Sequence, residues 1–290
     1  MSCSARLARL LFSGALILLS GALAGSGCRR EAPPPRLGPV PGDIGALQSA
    51  LAARTPPEAL EGKGSVHLSL HDEDLPALDA RFLISALHGG RVALRPGILP
   101  PVLGLWFDSQ GWSLRLPRQR LACESRGEGP IAPQSMMRLG RYLFQPQSLV
   151  EDLVAPRRID RGAEWVLRGR LRQLSEEMDV AEIWIDPRTL GVSHWGLAAR
   201  NGETLLRVAY EPPLEDADYR GLIRIVLPGL GLRGQLGVRE LKQGEPTLKP
   251  VPLLPAGWDV LSPEELPDLL GGFADREGQR GRESRPEAAR

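Results

Sequence analysis

Apolar side chains recur at every second position in many short runs of the chain after residue 64. A clear example extends from Leu78 to Ala86. A period of two is typical of a strand with one buried face, and turn residues such as Gly89-Gly90 and Asn201-Gly202 separate several of the runs. Ten or eleven strands are therefore predicted. They cover residues 65–70, 78–86, 91–95, 103–108, 112–116, 164–171, 180–186, 192–199, 204–210, 222–227 and 234–241.

Helical spacing replaces this alternation in three places. Asp43 can cap a helix that runs to about Ala53, and Pro56-Pro57 ends it. Residues 133–144 and 146–154 also place their apolar side chains at helical intervals. Many strands with a helical insertion predict a mainly β (α+β) fold, built as a curved antiparallel sheet or a partly closed barrel.

The N-terminus has the pattern of an export signal. Arg6 and Arg9 precede an apolar run without charge from Leu10 to Ala24. A short basic region, an apolar stretch of about 15 residues and small residues after it are typical of a secretory signal, and the run is too short for a membrane span. We therefore expect residues 1–27 to be absent from the mature protein.

The residues after this run predict a lipid anchor. The segment LAGSGC, which ends at Cys28, resembles a lipobox, in which the cysteine receives diacylglycerol and becomes the new N-terminus. Gly25 stands where that pattern usually has leucine. The alternative is ordinary cleavage after Ala24, at an A-x-A site, which would leave a soluble periplasmic protein. A triacylated Cys28 would supply more than one chain, enough for stable anchoring.

A proline-rich segment follows Cys28 and predicts an extended tether. Residues 29–42 (RREAPPPRLGPVPG) favour polyproline geometry, and at ~3 Å per residue they could hold a domain some 40 Å from its anchor. Arg29 follows the cysteine, where aspartate retains lipoproteins in the inner membrane of many Gram-negative bacteria. The outer membrane is therefore the expected location.

Charge and cysteine content give no sign of a nucleic-acid partner or of a disulfide framework. Without the two arginines of the signal, 34 basic residues stand against 35 acidic ones, and no basic patch suits nucleic acid. Cys3 leaves with the signal and Cys28 would be acylated, so Cys123 alone remains and no disulfide can form within the mature chain. Cys123 has no histidine near it in sequence, which favours a small, semi-buried residue over a reactive thiol.

No motif in the sequence predicts catalysis. Gly229 to Gly234 match G-x-G-x-x-G after a strand, but no periodic helix follows and no acid lies about 20 residues on, so a glycine-rich turn is expected. His67 and His71 would lie ~13 Å apart on a strand, too far to share a metal. A nucleophile elbow, a P-loop and a Cys-x-x-Cys pair are missing. We expect neither an enzyme nor a cofactor or metal.

Between residues 64 and 241 the order of elements resembles the LolA and LolB family of periplasmic lipoprotein-trafficking proteins. It is most similar to LolB, the lipid-anchored outer-membrane acceptor. The resemblance rests on LDARFLI, RVALR leading into PGILPP, the hairpin GLWFDSQGWSLRLP, the helical QSMMRLGRYLFQPQSLVEDLV and the hairpin WIDPRTLGVSHW. The proline-rich stretch Lys249–Pro255 and the charged C-terminal tail depart from it.

The resemblance implies a half-open antiparallel β-barrel with a helical lid, whose apolar cavity binds acyl chains. The alternative is that the same side chains pack on one another as an ordinary core. The candidate lining residues are Phe82, Ile84, Trp106, Leu114 and Leu116 on strands and Met136, Met137 and Leu143 on the lid.

The loop from Pro96 to Pro101 is the second candidate site. Proline and glycine keep it out of helix and sheet, so Ile98 and Leu99 are expected at the surface. In LolB-like proteins the corresponding loop carries a protruding leucine required for delivering lipoproteins into the membrane, and Leu99, or Ile98 beside it, matches that position. The alternative is a pair that folds back onto the sheet as a plug.

These expectations combine into one functional hypothesis. The chain would be an outer-membrane lipoprotein that takes acylated proteins from a soluble periplasmic carrier and inserts them in the membrane. The alternatives are a scaffold lipoprotein of the envelope without lipid binding and a protein that binds glycolipid without transport. The expected segments are a signal at 1–27, a lipidated cysteine and tether at 28–42, a lipid-binding domain at 43–262, and a short helix with a charged tail at 263–290.

Overall fold

The structure is a computed structural model of the chain. It describes residues 44–52, 58–70, 73–85, 87–126, 133–161, 164–171, 178–186, 188–215, 219–244, 250–262 and 265. The signal peptide, Cys28 and the tether lie outside the described residues, as does the C-terminal tail apart from Glu265.

The described residues form three α-helices, a 3-10 turn at Pro228–Leu230 and fifteen strands. The helices are α1 Ile44–Ala52, α2 Pro133–Phe144 and α3 Gln147–Asp152. The strands are β1 Ala59–Leu70, β2 Glu73–Asp74, β3 Leu78–Ser85, β4 Gly89–Arg95, β5 Leu103–Phe107, β6 Gly111–Leu116, β7 Leu121–Arg126, β8 Leu153–Arg161, β9 Glu164–Leu171, β10 Met178–Ile185, β11 Val192–Ala199, β12 Thr204–Leu214, β13 Gly221–Leu227, β14 Leu232–Gln243 and β15 Asp259–Leu261.

The strands form one open sheet made of two meanders. The first meander runs from β3 to β7 and the second from β8 to β14, and β1 joins them by pairing with β3 on one side and β14 on the other. All these pairs are antiparallel, whereas the short β15 pairs with β7 in parallel. The open ends of the sheet are β8 and β15. The predicted mainly β, half-open antiparallel architecture is confirmed.

The prediction of ten or eleven strands was too low, and one helical boundary was wrong. Four strands were missed, namely β2, β7, β8 and β15. Residues 146–154 were expected to be helical, but α3 ends at Asp152 and Leu153 is already extended. Ala155 has a φ of +48°, and Pro156 follows it. A left-handed residue and a residue without an N–H cannot continue a helix, so the chain turns into β8.

The register aligns apolar side chains of neighbouring strands in rows across one face of the sheet, the inner face. One such row is buried throughout and runs from Phe82 on β3 through Val92, Leu105 and Leu114 to Cys123 on β7. Helix α2 packs on β3, β4 and β5, while α1 packs on α3 and β8. The core therefore lies between this face and the helices. None of the helices in the described part of the chain has the length and apolar character that a membrane span requires.

The opposite, outer face of the first meander is crossed by residues 250–258, called the strap here. Near the start of the strap, the Val251 N–H lies 3.4 Å from Asp108 Oδ2. At its end the chain enters β15, where Asp259 is the register partner of Leu121 at the start of β7. The proline-rich stretch that departs from the LolB pattern thus continues into a strand of the sheet.

Arg115 holds the strap to the sheet through a buried polar cluster. Its guanidinium donates to the carbonyl oxygens of Pro252 and Leu253. Its Nη2 also lies 3.3 Å from Glu124 Oε1, and Ser113 Oγ bridges the two side chains at 2.9 and 2.8 Å. Arg115 is 6% exposed. A charge this buried is stable only with its partners in place, because each loses hydration.

We predict that Arg115→Met lowers the free energy of unfolding by about 3 kcal/mol, because Glu124, whose side chain is only 15% exposed, then loses the cation beside it. Urea unfolding of the full chain measures the change. Lys63→Met is the matched control, since Lys63 pairs with Glu240 at 2.9 Å but both side chains are more than 40% exposed. It should change stability far less. Equal losses of stability in the two variants would contradict the role of Arg115 in holding the strap to the sheet.

Candidate functional site

Four of the predicted cavity residues lie together on the inner face of the first meander. Phe82 and Ile84 on β3 and Leu114 and Leu116 on β6 are each at most 5% exposed. They share this face because successive side chains of a strand alternate between faces. These four side chains therefore form an apolar surface, and the helix above it decides whether that surface is covered.

Helix α2 sits directly on this surface. The ring of Phe144 stacks on the ring of Phe82, with centroids 4.5 Å apart and planes 21° from parallel. One turn earlier, Gly140 brings the helix backbone close to the sheet, since a Cβ there would lie 3.4 Å from Phe107 Cζ and 3.6 Å from Ile84 Cγ2. The end of α2 is thus seated on the sheet, in the position expected for a lid.

The other predicted lid residues have different environments. Leu143 is fully buried, and Met137 is partly buried against the core cluster. The side chain of Met136 lies outside the described residues. The lid thus contributes at least one fully buried leucine and one partly exposed, adaptable methionine.

Trp106 does not line the inner face, and its assignment to the cavity was wrong. Leu105 and Phe107 on either side of it are buried on the inner face, so Trp106 points outward. Its ring covers Gly104, where a Cβ would fall 2.5 Å from the indole. The guanidinium of Arg115 lies 5.0 Å from the ring centroid. Trp106 therefore belongs to the outer face that the strap crosses.

A buried aromatic cluster, which the sequence did not reveal, fastens the C-terminal end of α2. Trp195 Nε1 donates to Tyr210 Oη at 2.9 Å, and that hydroxyl donates to the carbonyl of Leu143 at 2.8 Å. Tyr142 Oη donates to Asp152 Oδ2 on α3 at 2.5 Å. Burial raises the pKa of both tyrosines, so both remain neutral. The bond from Tyr210 ties the last turn of α2 to the second meander, and the bond from Tyr142 ties it to α3.

The predicted surface loop carries its two aliphatic residues in the open. Ile98 is fully exposed and Leu99 is 50% exposed, so the pair does not fold back as a plug. The Leu99 N–H donates to Pro96 O at 3.2 Å, and Gly97 supplies the positive φ of +57°. At the base of the loop, the N–H of the buried Val102 donates to the carbonyl of Leu94, near the end of β4, at 2.8 Å. The loop is a constrained turn that presents apolar side chains to its surroundings.

A groove of about 710 Å³ lies on the outer face of β9 to β12, where no site was predicted. Small residues such as Gly196 form its floor. Trp184 and His194 stack along one side with centroids 4.1 Å apart, and an ion pair of 3.2 Å joins Arg168 to Glu182. Burial lowers the pKa of His194. The groove combines charges of both signs with aromatic surface.

Two arrangements that could suggest chemistry do not provide it. Ser193 Oγ donates to Glu164 Oε1 at 2.5 Å, so at 2.9 Å His194 Nδ1 can only donate to that oxygen, the reverse of a general base. Burial raises the pKa of the Cys123 thiol to about 12, which leaves it protonated and unreactive at neutral pH. Among the residues that the structure describes, no three His, Cys, Asp or Glu side chains are grouped as metal ligands.

The chain is similar in structure to several solved proteins of low sequence identity. A putative outer membrane lipoprotein-sorting protein domain from Vibrio parahaemolyticus is 12% identical, with a TM-score of 0.48 over 70% of this chain and 92% of that one. A LolA superfamily protein from Nitrosomonas europaea is 14% identical, with a TM-score of 0.45 over 71% and 93%. A DUF1329 family protein from Desulfovibrio piger is 10% identical, with a TM-score of 0.46 over 70% and 92%.

A lipoprotein-sorting domain and a LolA superfamily protein are thus among the solved structures whose fold this chain resembles. No protein-family model and no curated protein matches the chain.

Gly140 offers a test of how closely α2 sits on the sheet. We predict that Gly140→Ala raises the free energy of unfolding by up to about 1 kcal/mol, because alanine favours helix and its Cβ meets only ordinary contacts. Gly140→Leu should instead lower it by about 2 kcal/mol, because the larger side chain cannot fit above Phe107. Thermal and urea unfolding measure both. If Gly140→Leu is as stable as the parent, space is open beneath the helix.

Proposed function

We propose that this protein is a lipid-anchored acceptor that binds acyl chains between α2 and the inner face and inserts lipoproteins into the outer membrane. The observation that carries the proposal is the exposed pair Ile98 and Leu99 on a constrained turn. Exposing two aliphatic side chains to water is unfavourable, and contact with a membrane or a partner would remove this cost. Their burial in the membrane interface is worth on the order of 2–4 kcal/mol, enough to orient a tethered domain.

The inner face supplies the second part of the proposal. The rows beneath α2 are apolar, as a site for acyl chains requires. Phe144 occupies the space above Phe82, so an acyl chain there would displace the Phe144 ring. The ring stack that must then separate contributes about 1 kcal/mol beyond the area it buries. The hydrogen bond from Tyr210 Oη to the Leu143 carbonyl holds the backbone next to Phe144, so the displacement is one of the side chain and not of the helix end.

The close seating of α2 also favours a second function, that of a scaffold lipoprotein that uses the same fold to hold envelope proteins without binding lipid. Mass spectrometry of the protein purified from membranes separates the two. Co-purifying acylated peptides support the acceptor, whereas purified protein that carries unlipidated partners and no acyl chains supports the scaffold.

The loop is tested by replacing both of its aliphatic residues. Ile98→Glu with Leu99→Glu should leave folding and ligand binding intact, because both side chains are exposed, but should abolish transfer of bound lipoprotein to liposomes. The transferred fraction is measured by flotation. Leu87→Glu is the control, since Leu87 is 69% exposed in the β3–β4 turn at the opposite end of the sheet. Normal transfer by the double variant would assign delivery to another surface.

The anchor is tested at Cys28. Cys28→Ser should give a protein that is soluble in the periplasm or retains its signal uncleaved, because serine cannot receive the diacylglycerol. Fractionation and mass of the N-terminal peptide report the outcome. A mature Cys28→Ser protein that still sediments with membranes would exclude this anchor.

A further inference from the structure

The end of the sheet that carries Ile98 and Leu99 also carries two exposed arginines. Leu94 pairs with Leu103 below the β4–β5 loop, and Leu116 pairs with Leu121 below the β6–β7 turn. Because β4 to β7 are antiparallel neighbours, both connections lie at the same end of the sheet. Two strand spacings separate them, about 10 Å.

The β6–β7 turn holds its arginines in a defined conformation. Its backbone closes through the Gln119 N–H to Leu116 O at 3.1 Å and the Arg120 N–H to Pro117 O at 3.3 Å. Arg118 and Arg120 are both exposed. Arg120 has a φ of +55°, a conformation that glycine adopts without strain. The chain thus keeps a long cationic side chain where a smaller residue fits the backbone better.

The end of the strap reaches the same place. The Asp259 N–H donates to Arg120 O at 3.0 Å, which positions the preceding Trp258, a partly buried residue, beside the arginine turn. Tryptophan at such a place is typical of surfaces at the membrane–water interface, since its ring is amphipathic. Among the described acids near these connections, Asp79 is bound by Arg239, Asp259 is exposed, and Glu265 accepts a hydrogen bond from the Ser262 N–H.

We propose that this end of the sheet is a docking surface for anionic phospholipid. Arg118 and Arg120 bind headgroup phosphates, which a planar guanidinium recognises through paired hydrogen bonds. Ile98 and Leu99 enter the acyl region beside them, so the inference rests on the membrane role proposed for that loop. The arginines add a requirement that the loop alone does not have, namely a negatively charged bilayer.

The test uses the full mature chain purified from the envelope and labelled with an environment-sensitive fluorophore at Pro100→Cys in the exposed loop. The protein is reconstituted in vesicles of phosphatidylcholine and in vesicles of phosphatidylcholine and phosphatidylglycerol in equal parts. The emission maximum should shift to shorter wavelength in the anionic vesicles and much less in the neutral ones. Raised salt should weaken the shift, because it screens the attraction between the arginines and the bilayer.

Arg118→Glu with Arg120→Glu should lower the ratio of docked to free domain in anionic vesicles by at least about thirtyfold, since each basic residue near such a surface contributes about fivefold and the new carboxylates are repelled by it. The matched control is Arg188→Glu with Arg220→Glu, which makes the same charge change at exposed positions of the opposite end. It should dock as the parent does. Equal docking of the parent in both kinds of vesicle, or normal docking by the Arg118 and Arg120 variant, overturns the inference.

Failure of the proposed function has a different signature. If the parent chain docks on anionic vesicles but transfers no lipoprotein to either kind, the acceptor role is wrong while this surface remains. If it transfers lipoprotein equally well to neutral and anionic vesicles and docks on both alike, the acceptor role stands and the anionic requirement is wrong.

Discussion

The pairing of β1 with both of its neighbours holds the sheet together, because among the described strands it is the one that pairs with both meanders. Its contact with β3 also shapes the inner face. At Gly62 a Cβ would fall 2.1 Å from the ring of Phe82, so the glycine allows that ring to lie over β1. The ring then offers its face to Phe144 on α2. The position of α2 thus depends on Gly62, a residue without a side chain in β1, the strand next to β3.

The lid is held by two kinds of contact with different consequences. The stack of Phe144 on Phe82 is apolar and can separate in the presence of an apolar ligand at small cost. The hydrogen bonds of Tyr210 and Trp195 are buried, and breaking them would leave polar groups without partners. We therefore infer that the Phe144 ring would move off Phe82 while these hydrogen bonds hold the backbone of the last turn of α2 in place.

The sequence predicted the elements whose apolar and polar side chains alternate cleanly. It failed where contacts with residues distant in the chain determine the structure. Most strands and the inner position of Phe82 follow from a period of two. The strand β7 (LACESR) has the polar Ser125 beside Cys123 on its inner face and the apolar Ala122 on its outer face, so its alternation is weak. Trp106 was misplaced among the cavity residues, because its alternation with the buried Leu105 and Phe107 puts it on the outer face. The strap could not be anticipated, since the bonds of Arg115 join residues more than 130 positions apart.

Strand β8 at the open end of the sheet has a further consequence. A shift in register between Val154 and Arg157 interrupts its pairing with β9, and Pro156 has no N–H to offer to another strand. Arg158 turns back over the ring of Trp165 at 4.5 Å. An interrupted, charged edge is a poor template for a second copy. In the lipid-anchored state proposed above, where copies meet often in the plane of the membrane, this edge would limit aggregation by strand pairing.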